Sequence, residues 1–306
     1  MSGLDDGRQT AETPEELRIP VAGGQLTVLR WAASDPGAPV VLALHGITAN
    51  ALAWLPVARA LAGRATLLAP DLRGRAGSAG LPGPYGIEQH VADVAAVAQE
   101  LALAPVRLTG HSMGAFVAAR TLAVHPQLAE SVLLIDGGVG FPAPTHLSPD
   151  DLLTAVIGPA MTRLAMTFEN ADAYRAFWQA HPALGPWWSA DLETYVQRDL
   201  VGEEPRLRSS CVPDAIRADG VGLFAAEVLA AVHRLPVRGR LLLAERGLMN
   251  EGQPLLDPPR LALAGVDTTR LPVEVVPDTN HYTILLTEAP AKHIADLLLA
   301  DSQLHP

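Results

Sequence analysis

The segment GHSMG at positions 110–114 has the pattern G-x-S-x-G, which sets a serine between two glycines. It follows the apolar run 106–109, a predicted strand, and opens the apolar stretch 114–124, a predicted helix. A tight strand-to-helix turn needs glycines there, because larger side chains would clash. The serine oxygen then lies at the amino end of a helix, where the dipole favours developing negative charge. The pattern therefore predicts Ser112 as a nucleophile.

A serine hydroxyl is a weak nucleophile until a base accepts its proton. His281 lies five residues after the end of a predicted strand near the carboxyl terminus, which places it in a loop. His293 and His305 are also late in the chain, but the first falls within a predicted helix and the second within the last residues. We therefore expect His281 to be the base, and we expect structural roles for His45 and His111.

Two backbone N–H groups are expected to stabilise the oxyanion that forms when the serine attacks. The segment HGI at positions 45–47 follows the predicted strand 40–44, and its glycine allows the chain to turn. The N–H of Ile47 then points toward the nucleophile. The N–H of Met113, the residue after the serine, is the second donor. Losing one such donor typically costs about 10²–10³ in rate.

Short apolar runs that alternate with helical patterns must position these residues. Runs that are apolar on both faces suit a parallel sheet covered by helices, and the alternation indicates an α/β fold. An antiparallel hairpin, 17–21 with 25–31, is predicted to open the fold. The predicted strands are 40–44, 66–69, 106–109, 131–135, 240–244 and 272–276, and the predicted helices are 51–61, 87–101, 114–124 and 291–299.

The alternation stops in a long stretch between two of the predicted strands. Residues 141–236 are helical in pattern and hold most of the large aromatic side chains. Such an insertion is either a lid or a separate module, and a lid is favoured because both flanks return to the same sheet. The expected organisation is a flexible tail (1–16), a core (17–140 and 237–306) and this helical lid.

Aromatic and methionine side chains of the predicted lid are candidates for an apolar substrate pocket. They are Trp178, Trp187, Trp188, Phe168 and Met166. They would suit a bulky apolar or aromatic ester or lactone. The alternative for each of them is packing within the lid.

Composition excludes several classes of protein. The 306 residues are 49% hydrophobic with a net charge of −11, which argues against a disordered chain and against a nucleic-acid binder. No apolar run approaches the roughly 18–20 residues that span a bilayer. The single cysteine, Cys211, allows neither an internal disulfide nor a C-x-x-C site. The acidic start lacks the features of a secretory signal, so a cytoplasmic protein is expected.

These motifs together resemble those of the α/β-hydrolase superfamily, in its lidded serine esterase and lactonase-like branch. The resemblance rests on the segments 45–47, 71–78 (DLRGRAGS), 110–114 and 280–281 (NH). It implies an α/β-hydrolase fold: an eight-stranded, mostly parallel sheet flanked by helices, with strand 2 antiparallel and a helical lid inserted after strand 6. Ala76 stands where the family's loop usually has glycine, and we interpret that loop as architectural.

The resemblance also implies an acid that supports the histidine. The commonest family position follows the first strand beyond the lid, where Asn250 stands in place of aspartate and Glu245 and Glu251 are near. Some members take the acid from the strand before the lid, which here ends at Asp136, 24 residues after Ser112. An amide could not stabilise a charged histidine as a carboxylate does. We favour Asp136, with Glu251, Glu245 or no acid as alternatives.

The predicted activity is hydrolysis of a carboxylic ester or lactone through an acyl-enzyme intermediate. The expected partner is a small-molecule substrate, without nucleic acid, membrane, metal or cofactor; a homo-oligomer stays open. The same residues could serve a C–C bond hydrolase, a thioesterase or a cofactor-free perhydrolase. A non-catalytic receptor for a small ligand is the alternative outside the enzymes.

Overall fold

The computed structural model describes residues 13–142, 151, 158 and 161–300. An eight-stranded sheet with the order β1-β2-β4-β3-β5-β6-β9-β10 forms its centre. Strand β2 is antiparallel to both of its neighbours, and the remaining pairs are parallel. The strands are β1 (Glu15–Val21), β2 (Gly24–Trp31), β3 (Val40–Leu44), β4 (Thr66–Pro70), β5 (Val106–His111), β6 (Ala129–Ile135), β7 (Leu200–Val201), β8 (Arg208–Ser209), β9 (Arg238–Ala244) and β10 (Val273–Val276). The predicted fold class is confirmed.

The sheet extends into the segment expected to be a tail. Glu15 and Glu16 pair with Arg30 and Leu29 in the opening hairpin, so β1 begins two residues before the predicted boundary. Backbone pairing with a neighbouring strand orders these acidic residues in spite of their polar side chains. Residues 1–12 of the expected tail lie outside the described residues.

Successive side chains of the central strands alternate between the two faces of the sheet. Val41 and Ala43 belong to one apolar cluster, whereas Leu42 and Leu44 belong to the other. All four side chains are buried, because helices cover both faces. This explains why the strands are apolar without alternation in the sequence.

Helices of the core form the two outer layers. Helices α1 and α10 pack together on one face, and α2 and α3 pack together on the other. The helices are α1 (Leu55–Leu61), α2 (Ile87–Glu100), α3 (Met113–Val124), α4 (Ala171–Gln179), α5 (Ala190–Arg198), α6 (Pro213–Gly222), α7 (Ala226–Ala231), α8 (Pro258–Leu263), α9 (Thr283–Leu286) and α10 (Glu288–Ala300). In the part of the chain that is described, no helix is both long and apolar enough to cross a membrane.

The chain between β6 and β9 leaves the sheet, and the two strands are neighbours within it. We call residues 141–236 the insertion. Its described part carries helices α4 to α7 and a short ribbon, in which β7 pairs with β8. Because the insertion follows the carboxyl end of a parallel strand, it lies at the edge where α/β proteins bind their ligands.

Candidate active site

Ser112 occupies a sharp turn between β5 and α3. Its backbone has φ 56 and ψ −122, a left-handed region that costs a non-glycine residue energy. The turn closes only with glycine on each side. A Cβ on Gly110 would lie 2.1 Å from the Gly114 carbonyl oxygen, and one on Gly114 would lie 2.1 Å from the Leu44 carbonyl oxygen. A backbone hydrogen bond holds this strained conformation in place: the Ser112 N–H donates to the Ile135 carbonyl at 2.9 Å.

His281 and Asp136 form a buried hydrogen-bonded pair. His281 Nδ1 lies 2.7 Å from Asp136 Oδ2, and both side chains are at most 6% exposed. The other oxygen, Oδ1, accepts the Ala244 N–H at 3.1 Å. The Asp136 N–H donates to the Leu242 carbonyl at 2.7 Å, so β9 fixes this aspartate at two points. A carboxylate held in this way can orient the imidazole and stabilise its positive charge.

Ser112 and His281 line the same cavity, whose volume is about 100 Å³. The residue after Asp136 lies directly against the serine: a Cβ on Gly137 would be 2.3 Å from the Ser112 carbonyl oxygen. The structure thus brings together the predicted nucleophile, base and acid at the carboxyl ends of three strands.

His111 contacts His281 through a hydrogen bond and through its ring. Its Nε2–H donates to the His281 carbonyl at 2.7 Å, and the two ring centroids are 4.6 Å apart. Burial, together with the neighbouring His281, holds the pKa of His111 well below its usual value. His111 is therefore neutral, and its role in this structure is to hold the backbone of His281.

The alternative acids lie elsewhere. Glu251 Oε2 accepts the Met249 N–H at 2.6 Å, and Glu245 Oε2 accepts the Asp278 N–H at 2.9 Å. Both glutamates are exposed, and Glu251 bonds within its own loop whereas Glu245 bonds to the loop after β10. Of the three carboxylates weighed from the sequence, Asp136 is the one that contacts His281.

Asn280 connects the loop that carries His281 to the insertion. Its Oδ1 accepts the N–H groups of Tyr282 and Thr283 at 2.9 and 3.0 Å, which caps the start of α9. Its Nδ2 donates to the Ala183 carbonyl in the insertion at 3.0 Å and to Asn250 Oδ1 at 3.3 Å. Asn250, which stands at the family's commonest acid position, therefore supports a neighbouring amide.

The loop after β3 (residues 45–50) approaches the serine closely. A Cβ on Gly46 would lie 3.2 Å from Ser112 Cβ and 3.6 Å from its Oγ. His45 Nδ1–H donates to the Gly46 carbonyl at 2.8 Å, and His45 Nε2 accepts the Leu72 N–H at 2.9 Å. This pattern requires a neutral imidazole, and burial lowers the pKa of His45 to about 3.

The same hydrogen bond orients the first predicted oxyanion donor. The Gly46 carbonyl and the Ile47 N–H belong to one trans peptide group, so they point in opposite directions. With the carbonyl turned to His45, the Ile47 N–H faces away from it. The second predicted donor, Met113, opens α3, where the first N–H groups have no partner within the helix.

The comparisons with known proteins agree with this fold. A family model described as the alpha/beta hydrolase fold matches residues 39–237, which is more than half of the chain. The chain belongs to the α/β hydrolase family. The match includes the loop after β3, the serine turn, Asp136 and the insertion.

Two curated relatives and one solved structure are similar to this α/β hydrolase. An esterase of Mycobacterium tuberculosis, Rv0045c, is 33% identical over 145 residues, which are 44% of this chain and 47% of that protein. The 2-(acetamidomethylene)succinate hydrolase of Mesorhizobium japonicum is 35% identical over 98 residues, or 32% and 35% of the two chains. The solved thioesterase domain from the curacin biosynthetic pathway has a TM-score of 0.73 and 25% identity, covering 94% and 99%. The chain matches less than half the length of these two curated relatives.

The aromatic side chains expected to line the pocket are divided by the structure. Trp178 lines the cavity with Ser112. Trp187 and Trp188 instead line a second cavity of about 650 Å³. Phe168 is buried in the apolar core, and Met166 packs against that core. The sequence could not separate these roles, because aromatic composition does not show which face of a helix meets the core.

Sequence reasoning missed several residues of the cavity that holds Ser112. Tyr195, Tyr282, Met249 and Leu285 line it, and they come from four separate elements or loops. Tyr282 had a local signal, since it follows His281 directly. The other three meet the cavity only through tertiary packing, which has no signature in a single sequence.

The described residues contain no group of three or more His, Cys, Asp or Glu side chains that could hold a metal ion. Cys211 is buried, and burial raises the pKa of its thiol to about 11. This thiol is therefore protonated at neutral pH.

Proposed function

We propose that this α/β hydrolase is a serine hydrolase that cleaves a carboxylic ester or a lactone through an acyl-enzyme intermediate. One observation carries the proposal: His281 Nδ1 lies 2.7 Å from Asp136 Oδ2, and His281 lines the same cavity as Ser112, which occupies a strained turn. A serine, a histidine and an orienting carboxylate in this relation can perform acyl transfer.

Acylation begins when Ser112 Oγ attacks the substrate carbonyl. The hydroxyl proton passes to His281 Nε2, and Asp136 stabilises the imidazolium that forms. The carbonyl oxygen becomes an oxyanion, which the N–H groups of Ile47 and Met113 stabilise. When the tetrahedral intermediate collapses, the bond to the leaving oxygen breaks, and His281 gives that oxygen its proton.

Deacylation repeats these steps with water in place of the serine. His281 accepts a proton from water, the resulting hydroxide attacks the acyl carbon, and the proton returns to Ser112 Oγ. In a lactone the leaving oxygen stays attached to the acyl group, so a single hydroxy acid is released. Gly110 and Gly114 allow the tight turn that keeps Ser112 accessible to the substrate in both steps.

The insertion is proposed to act as a lid that determines which substrates fit. Trp178 and Tyr195 of the insertion border the cavity with Ser112, whose volume of about 100 Å³ suits a small acyl group. Leu286 borders both this cavity and the larger one lined by Trp187 and Trp188. A bulky alcohol portion would therefore extend beyond the small cavity, toward Leu286.

The test is hydrolysis of p-nitrophenyl acetate by the wild type and by Ser112→Ala. The variant should lose turnover and labelling by a fluorophosphonate probe while its unfolding temperature is kept. Ser34→Ala, which changes an exposed serine that does not line the cavity, is the matched control and should behave as wild type. Turnover that persists in Ser112→Ala would refute the proposal. Weak labelling of Ser112 together with no turnover of any ester, lactone or thioester would favour a receptor.

A thioesterase is the second candidate, because the thioesterase domain from the curacin pathway matches nearly the whole chain. Both activities use the same residues and differ in the leaving atom. Acetyl esters of phenol and of thiophenol separate them. A kcat/KM that is more than about tenfold higher for the thioester, after correction for its intrinsic reactivity, would favour the thioesterase.

A further inference from the structure

Two consecutive carbonyl groups in the loop after β3 are held by buried arginines. Arg75 Nε donates to the Ile47 carbonyl at 2.9 Å, and Arg163 Nη2 donates to the Thr48 carbonyl at 3.3 Å. The side chain of Arg75 is fully buried and that of Arg163 is 2% exposed. The loop that contains the proposed oxyanion donor is therefore held through the carbonyl groups of Ile47 and Thr48.

Each arginine forms an ion pair with an aspartate of the insertion. Arg75 pairs with Asp219 in α6, and Arg163 pairs with Asp199 directly after α5. Burial by itself would raise the pKa of Asp219, but the charge of Arg75 and a contact with His90 hold it below its usual value. The Asp219 carboxylate is therefore ionised at neutral pH.

The second aspartate is held by several donors. Asp199 Oδ1 accepts the hydroxyls of Ser209 and Ser210 at 2.9 and 2.8 Å, and its Oδ2 accepts the Tyr174 hydroxyl at 2.6 Å. Buried ion pairs of this kind contribute little net stability, because desolvation offsets most of the attraction. The Arg163–Asp199 hydrogen bond and the close Arg75–Asp219 ion pair do fix the directions of the groups they join. The two pairs therefore serve the position of the loop more than the stability of the fold.

We propose that Asp199 and Asp219 are positioning residues of the insertion. They act through Arg163 and Arg75 to hold the loop after β3, which contains the proposed oxyanion donor Ile47, in the geometry that the reaction needs. The inference rests on the proposed function. It assigns the insertion a role in the rate of the reaction, besides its role in substrate fit. Oxyanion donors act only at hydrogen-bond distance, so a shift of the loop lowers transition-state stabilisation while ground-state binding is little changed.

The variants for the test are Asp219→Asn and Asp199→Asn, with Asp93→Asn as the matched control. Asp93 pairs with Arg73 at 2.7 Å, and both side chains are as buried as those of the proposed pairs. The Arg73 guanidinium otherwise donates to the carbonyls of Pro82 and Ala22, away from residues 45–50. The control therefore breaks a comparable buried ion pair that does not reach the loop.

The main readouts are kcat, KM and the affinity for an aryl trifluoromethyl ketone, which binds a serine hydrolase as an oxyanion. Each of the two variants should lower kcat by about 10- to 100-fold, with KM within about threefold. Affinity for the ketone should fall by the same factor as kcat. Asp93→Asn should keep all three values within about twofold, even where its unfolding temperature falls. Unchanged kcat in both insertion variants, or an equal loss in the control, would overturn the inference.

A second measurement follows the loop directly and needs no substrate. Amide hydrogen exchange of residues 45–50 should be faster in Asp219→Asn and Asp199→Asn than in the wild type, and unchanged in Asp93→Asn. If Asp199→Asn does not fold, Arg163→Lys replaces it, because lysine keeps a charge for Asp199 but lacks the guanidinium fork that also reaches Thr48. A wild type that hydrolyses nothing would reject the proposed function alone. Unchanged exchange in the folded insertion variants would reject the positioning role.

Discussion

The Nδ1 atom of His281 lies 2.7 Å from Oδ2 of Asp136, although the two residues are 145 positions apart in the sequence. The topology of the sheet explains this contact. Asp136 directly follows β6, His281 follows β10, and only β9 separates these strands in the sheet. Strand β9 also fixes Asp136 through Leu242 and Ala244, so the acid and its orientation are set by the same strand.

The first prediction follows from that contact. Asp136→Asn should lower kcat for p-nitrophenyl acetate by about 10³–10⁴-fold, because an amide presents the wrong hydrogen-bond partner and leaves the imidazolium without a counter-charge. KM should change little, since Asp136 does not line the substrate cavity. Steady-state kinetics, with circular dichroism to verify folding, measures both quantities.

Glu251→Gln is the control for the acid. Its carboxylate accepts the Met249 N–H in an exposed loop, and glutamine can keep that bond through its carbonyl oxygen. The kcat of this variant should stay within about threefold of the wild type. A large loss in Glu251→Gln, together with a small loss in Asp136→Asn, would transfer the role of the acid to Glu251.

Local patterns were sufficient to predict the sheet and the serine turn. The strand Val40–Leu44 was predicted with its observed bounds, because apolar runs of this length between turn residues have few alternatives. The turn at Ser112 was readable because glycines are required on both sides, and the structure shows the clashes that other residues would cause. Even Ala76, noted as unusual for its position, has the left-handed backbone (φ 40) that glycine adopts more easily.

Contacts between distant segments were beyond the reach of the sequence. The Arg75–Asp219 pair joins the loop after β4 to the insertion, and neither residue has a neighbouring motif that reveals its partner. Trp178 and Trp188 were equivalent by composition, yet only Trp178 borders the cavity with Ser112. Which helix face points inward depends on how the insertion packs on the core, and no short pattern encodes that.

The second prediction concerns the two hydrogen bonds of His45. His45→Asn keeps an amide N–H near the position of Nδ1 and can still donate to the Gly46 carbonyl. His45→Gln reaches the position of Nε2 and can still accept the Leu72 N–H, but it loses the bond to Gly46. If the Gly46 peptide orients the Ile47 N–H, the asparagine variant should keep at least about tenfold more kcat than the glutamine variant.

The KM of both His45 variants should stay near the wild-type value, because the effect is confined to the oxyanion. Equal kcat values in two folded variants would mean that the bond to Gly46 does not orient the donor. Binding of the trifluoromethyl ketone is the independent check, and it should follow the same order as kcat.

The third prediction is a dependence of stability on pH. Burial lowers the pKa of His45 to about 3 in the folded protein, from 6.5 in a model peptide. As the pH falls below 6.5 the unfolded chain binds a proton that the folded chain does not bind, so unfolding becomes more favourable. The free energy of unfolding should therefore fall by up to about 1.4 kcal/mol per pH unit from this group, until the pH reaches about 3.

Urea unfolding of the wild type and of His45→Asn, at intervals between pH 7 and pH 4, isolates this contribution. Other buried groups act equally in both proteins, so the difference between the two curves reports His45. The wild type should lose stability more steeply than the variant as the pH falls below about 6.5. Parallel curves would show that His45 is protonated in the folded state as readily as in the unfolded chain.

The fourth prediction separates the two tryptophans of the insertion. Trp178 borders the small cavity with Ser112, so Trp178→Leu should enlarge it and favour longer acyl chains. The ratio of kcat/KM for p-nitrophenyl hexanoate to that for the acetate should rise by about tenfold or more. Using a ratio removes any loss common to both esters, including one from the contact between Trp178 and Arg163.

Trp188→Leu is the matched control, because it makes the same change in the second cavity. Its hexanoate-to-acetate ratio should stay within about twofold of the wild type, since the acyl chain does not reach that cavity. Trp188→Leu should instead alter the preference among acetate esters with large aromatic alcohols, which the alcohol-side position of this cavity would accept. If Trp188→Leu changed the acyl-chain ratio as much as Trp178→Leu, the acyl group would have to bind on the other side of Leu286, and the assignment of the small cavity to the acyl group would be wrong.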